Sequence, residues 1–179
     1  MYAITRRLAV AACAAALAAP VAVAATSTTA SAAPFCGITW GSLAKATSPA
    51  RLWTGSVTGT RAGQHPCYDR LVLDLAPGRG ALGYDVRYVS AVTAPGSGLP
   101  VPVSGGARVQ VTVDAPSTLA TSTTTLTGWR TFRQLRNVGS FEGYTDFGLG
   151  VRARLPMRAF VLTDADGGRR LVVDVAHRW

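Results

Sequence analysis

Hydrophobic and polar positions alternate with a period of two through most of the chain. The pattern is clearest where one motif occurs twice: Arg70-Leu71-Val72-Leu73-Asp74-Leu75 and Arg170-Leu171-Val172-Val173-Asp174-Val175 both read R-L-V-x-D-x. Successive side chains of an extended chain point to opposite faces. Leu71, Leu73 and Leu75 therefore share an apolar face, as do Leu171, Val173 and Val175. The opposite face carries Arg, Val and Asp, and is expected to be a solvated rim whose exposed charge pairs add little stability.

The same alternation predicts strands over 57–62, 68–76, 84–89 and 109–113, the first followed by a turn at Gly63-Gln64-His65-Pro66. Residues 129–138 fit a strand with Arg130, Phe132, Gln134 and Arg136 on one face, or a helix that would align Arg130, Arg133 and Arg136; the strand is preferred because Asn137-Val138-Gly139-Ser140 looks like a turn. A further strand is expected over 141–151, with Phe141, Thr145, Phe147, Leu149 and Val151 together. Phe160 to Thr163 should pair with the closing strand across the hairpin loop Asp164-Ala165-Asp166-Gly167-Gly168. Residues 94–106 and the Thr/Ser-rich 114–128 read as loops, and one helical turn is expected at Ser42 to Ala46. About eight short strands without an amphipathic helix predict an all-β chain, an antiparallel β-sandwich or open barrel.

A length of 179 residues accommodates one such domain, and 19 Gly, 10 Pro and only 15% charged residues suit strands and turns. The beginning of the chain does not join this pattern. Arg6 and Arg7 precede an Ala/Val/Leu-rich run to Val23, and Ala30-Ser31-Ala32 offers small residues for cleavage. Residues 1–32 are therefore expected to be a signal peptide, 33–54 an irregular stapled segment and 55–179 the β domain. Lipid attachment at Cys13, after Val10-Ala11-Ala12, is the lesser alternative. No later apolar run reaches the ~18 residues of a membrane span. Removal of the leader would leave Cys36 and Cys67, which an oxidising exterior should join as a disulfide.

Without Arg6 and Arg7 the charge is 16 basic minus 9 acidic, or +7, and Lys45 is then the single lysine. An arginine-rich exported surface favours anionic partners. Arg130, Arg133, Arg136, Arg152 and Arg154 are the candidate ligand-binding residues, because guanidinium forks grip carboxylate and phosphate. Tyr144 is the candidate stacking surface. The bland reading of each arginine is a solvated basic face.

Catalytic signatures are weak. There is no G-x-S-x-G elbow, no phosphate-binding glycine loop and no metal-ligand spacing around His65 or His177. No cofactor, metal or nucleic-acid partner is expected. One enzymatic alternative is a small ribonuclease with Glu142 as base and His65 or His177 as acid.

Five segments in order, His65-Pro66-Cys67-Tyr68-Asp69-Arg70-Leu71-Val72-Leu73, Gly83-Tyr84-Asp85-Val86-Arg87-Tyr88-Val89, Phe141-Glu142-Gly143-Tyr144-Thr145, Pro156-Met157-Arg158-Ala159-Phe160 and the closing R-L-V-V-D-V, resemble the AMIN-like domain of exported bacterial proteins. That group is similar to the AMIN domain, a two-sheet β-sandwich that targets N-acetylmuramoyl-L-alanine amidases to peptidoglycan. The resemblance spans about residues 55 to 176. It implies a secreted, non-catalytic module that binds peptidoglycan or another anionic wall polymer. A second implied role is docking of an envelope enzyme through a sheet edge or the 114–128 segment.

Overall fold

A computed structural model of the chain describes residues 34–49 and 52–179. The leader and the Cys13 alternative lie outside the described residues. Twelve strands form: β1 (Lys45–Thr47), β2 (Val57–Gln64), β3 (Tyr68–Leu75), β4 (Tyr84–Val89), β5 (Val92–Thr93), β6 (Pro100–Val101), β7 (Ala107–Val113), β8 (Ser122–Thr125), β9 (Phe132–Phe141), β10 (Tyr144–Val151), β11 (Met157–Thr163) and β12 (Arg169–Ala176). One sheet has the order β1-β4-β7-β10-β9-β8, a second β11-β12-β3-β2, and β5 pairs with β6 alone. All these pairings are antiparallel, and the sheets do not close into a barrel. The fold is a β-sandwich.

The two R-L-V-x-D-x segments are neighbours, β3 beside β12, with Leu71 opposite Val173 and Leu73 opposite Leu171. Their aliphatic faces, fully buried, meet Val86, Val109, Val111, Phe147 and Leu149 of the larger sheet to make the core. At ~25 cal/mol per Å² of apolar surface removed from water, this layer is the main source of stability. Because the pairing is antiparallel, the repeated motif places Arg70 opposite Asp174 and Asp74 opposite Arg170.

The outer face is not the expected solvated rim. Asp174 is 0% exposed and accepts Arg70 Nε and Nη2 (2.7 and 2.9 Å) and Arg158 Nε (2.8 Å). Trp40, Tyr68 and Phe160 lie against those guanidiniums at 5.1–5.8 Å. Asp74, in contrast, turns to the exposed Arg61 of β2. The same motif thus gives one buried and one solvated ion pair: rings lie over the Arg70–Asp174 end of the β3–β12 pair, whereas Arg61 beside Asp74 stays in water.

Several boundaries differ from the sequence expectation. The helical turn expected at 42–46 does not form: Lys45–Thr47 is strand β1, held against β4, and Gly41 bridges to Met157. This N-terminal segment laces the edges of both sheets, protecting strands that would otherwise be open. Cys36 and Cys67 are joined as expected, with Cα atoms 6.4 Å apart. The 114–128 segment contains the fully exposed edge strand β8. The loop at 94–106 begins with the β5–β6 hairpin, whose Val92, with Val103 beyond it, covers β10; a side chain at Gly148 would collide with both valines.

Asn137-Val138-Gly139-Ser140 is no turn. β9 runs through it, and the chain reverses at Glu142-Gly143, both at positive φ (48° and 85°). Bulges at Arg133 and Val138 change the phase of β9, so Phe132 points into the core while Gln134 and Arg136 do not.

Candidate anion-binding cleft

At one end of the sandwich the inward faces of β3 and β12 continue beyond the aliphatic residues. Two positions before Leu71 stands Asp69, and two after Val175 stands His177. The strand period therefore turns both toward the interlayer space. Asp69 is 0% exposed; its Oδ2 accepts the backbone N–H groups of Thr131 (2.7 Å) and Phe132 (2.8 Å). Its Oδ1 lies 3.1 Å from His177 Nε2. A carboxylate taking two backbone donors is an acceptor, so Nε2 carries the hydrogen and donates it. His177 Nδ1 is buried without a partner among the described residues.

This buried pair sits behind a cleft of about 510 Å³ lined by Phe35, Pro66, the Cys36–Cys67 disulfide, Arg130, Arg152, His177 and Arg178. Arg130 Nη1 donates to Pro66 O (3.3 Å). Arg152 donates through Nε to Arg130 O (3.2 Å) and through Nη2 to His177 O (2.6 Å). The Arg178 guanidinium lies 4.5 Å from the centre of the Phe35 ring. Among the described residues no acidic residue lines the cleft.

The nominated arginines share one property that composition could not reveal. None of Arg130, Arg133, Arg136, Arg152 and Arg154 forms a salt bridge among the described residues. Each is braced by backbone carbonyls instead: Arg133 by Trp129 and Phe132, Arg136 by Pro102, and Arg154 by Ser42, with its guanidinium over Tyr88. Carbonyl bracing orients a guanidinium without neutralising it.

Arg130 and Arg152 meet at the cleft, and Arg133 joins Arg152 on an adjoining hollow beside Trp129. Arg154 lies apart with Arg108 and Tyr88. Arg136 lies on β9 near Pro102. Tyr144 starts β10, whereas Arg152 follows its other end, about 25 Å away at the usual strand rise. Tyr144 therefore does not join the arginine cluster.

Glu142 occupies the same distal hairpin, roughly 30 Å along β9 from Phe132 and the Asp69–His177 pair. His65 stacks on Tyr68 (centroids 4.6 Å apart). The constellation required by the ribonuclease alternative is not assembled. Among the described residues the cleft offers His177 no nucleophile: its two cysteines are bonded to each other, and no hydroxyl side chain lines it.

Sequence reasoning missed Asp69 and Arg178 as site residues, and named His177 only as the acid of the ribonuclease alternative. The readable signal was the inward parity of the strands: an Asp and a His extending two aliphatic faces at the same end.

An antiparallel β-sandwich with carbonyl-braced, acid-free arginines at one end has the make-up of a binding module. The family model for the AMIN-like domain matches residues 55–177, and the chain belongs to that family. Membership points to a binding module of exported cell-envelope proteins. No curated protein and no solved structure matches the chain. Among the described residues no helix is long and apolar enough to cross a membrane.

Proposed function

We propose that the protein is a secreted, non-catalytic module that associates with peptidoglycan or another anionic polymer of the cell wall. The observation that carries this reading is the state of the five arginines. They have no acidic partner among the described residues, and backbone carbonyls hold them in place. Polyanion binding needs such uncompensated cations, and fixing them beforehand reduces the ordering cost of association. Family membership supplies the envelope context.

Co-sedimentation of the purified protein with sacculi across a salt series tests the proposal. Recovery should fall steadily as ionic strength rises and the Debye length contracts from about 10 Å at 0.1 M. Replacing Arg130, Arg133, Arg136, Arg152 and Arg154 by Gln should reduce recovery to that of an unrelated protein. Equal recovery of both proteins at every salt concentration removes these residues from the function.

A further inference from the structure

We infer that the cleft between Arg130, Arg152 and Arg178 is a receptor for the free terminal carboxylate of a short peptide. This deepens the wall-binding reading, and rests on it only for the source of the peptide.

Arg130, Arg152 and Arg178 line one concavity, and among the described residues no carboxylate lines it. A concave site with charge of one sign concentrates the field on whatever occupies it. The arginines also have donors to spare. Arg130 uses one N–H on Pro66 O and Arg152 uses two on Arg130 O and His177 O, while Arg178 makes no hydrogen bond among the described residues. An arginine fork matches a carboxylate bidentately, through two parallel N–H···O bonds.

The remaining wall argues for a carboxylate attached to something small and apolar. Phe35, Pro66 and the disulfide line the same hollow of about 510 Å³ beside the arginines, Arg178 lying over the Phe35 ring and Arg130 against Pro66 O, and the space is room for one or two residues of a peptide. A polymer phosphodiester presents its charge mid-chain, flanked by polar groups on both sides, and gains nothing from that apolar wall.

Asp69 and His177 act as positioning residues. Asp69 fixes the imidazole and the backbone at Thr131 and Phe132, so the peptide groups beside Arg130 and Arg152 stay in register. His177 O then holds Arg152. One buried acid thereby orients two of the three receptor arginines without facing the ligand.

The test is a titration followed by amide and arginine-side-chain NMR. The probes are N-acetyl-dialanine with a free carboxylate, its C-terminal amide and inorganic phosphate. The free acid should bind about tenfold or more tightly than the amide, with shifts centred on Arg130, Arg152 and Arg178. In the double variant Arg130→Gln/Arg178→Gln that preference should vanish. Arg87→Gln, a change outside the cleft and outside the wall-binding set, should retain it. Both variants alter exposed side chains, and an unchanged amide spectrum elsewhere shows that they fold.

Equal binding of acid and amide overturns the inference, as does phosphate binding as tightly as the acid. Sacculus recovery of the same double variant reads the wall proposal separately. Sacculus binding without acid preference removes the receptor and leaves the wall reading; acid preference without sacculus binding does the reverse.

Discussion

Asp174 and Asp74 occupy equivalent positions in a repeated motif, yet their surroundings assign them different energies. Asp174, fully buried between Arg70 and Arg158, is the single acid beneath two guanidiniums packed against aromatic rings. Asp174→Asn should cost about 3 kcal/mol, because it leaves both arginines uncompensated on a largely desolvated surface. Asp74→Asn should cost less than ~1 kcal/mol, since its partner Arg61 is mostly in water. Urea unfolding of the two variants compares them directly; equal costs would mean that burial does not set the difference. Asp114 gives a prediction of opposite sign. Burial, and then the charge of Asp85, raise its pKa above the ordinary carboxylate value. A raised folded-state pKa contributes stability that is present below the unfolded value and lost as pH rises through the folded one. At neutral pH the ionised Asp114 therefore opposes folding, and Asp114→Asn should be the more stable protein. The advantage should disappear below about pH 3.5, where the carboxyl is protonated in both states. Unfolding midpoints at neutral and acidic pH check this, and a neutral-pH midpoint below wild type would show that the carboxylate is satisfied after all.

Among the elements, the β9–β10 hairpin best shows what alternation can and cannot locate. Its reversal at Glu142-Gly143 has positive φ at both positions, the backbone of a two-residue turn that favours Asn-Gly. Glu142→Asn should therefore stabilise the protein by ~0.5 kcal/mol, and Gly143→Ala should destabilise it by ~1 kcal/mol or more. Thermal unfolding measures both, and a loss of stability in Glu142→Asn would argue that the glutamate side chain contributes more than its backbone strain costs. The turn was misplaced from sequence because Asn137-Val138-Gly139-Ser140 has turn composition, while each bulge adds one residue that a period of two cannot register. β3, β4 and β12 were legible almost to the residue, since each alternates strictly and turns an apolar face inward, aliphatic in β3 and β12 and Tyr84-Val86-Tyr88 in β4. β8 was not, because it owes its existence to backbone pairing with β9 and all four of its residues are exposed. β1 was hidden for a similar reason: three residues held by one neighbouring strand leave no periodic pattern.

Over the whole molecule, chemistry was legible as residue types but not as a place. The arginine bias was plain, but the cleft is assembled from residues 35–36, 66–67, 130, 152 and 177–178, which only the sandwich topology brings together. The disulfide connects that assembly to global stability. It ties the segment that carries Phe35 and Trp40 to the β2–β3 turn, 31 residues away along the chain. Chain-entropy reasoning for a loop of this length gives ~3.5 kcal/mol. The double variant Cys36→Ser/Cys67→Ser should lose about that much in urea unfolding, yet keep its β-type far-ultraviolet circular dichroism, because the aliphatic core lies elsewhere in the sandwich. Two local effects should accompany the loss. Trp40, buried beside Tyr68 and donating its indole N–H to Phe35 O, should show red-shifted fluorescence as its segment loosens. Preference for the free acid of N-acetyl-dialanine should weaken by several fold, since Phe35 no longer has a fixed place beneath the Arg178 guanidinium. An unchanged unfolding midpoint would mean that strand β1 and the Gly41–Met157 bridge hold the segment unaided. The cleft would then belong to the sandwich itself, and the disulfide would be dispensable to both stability and binding.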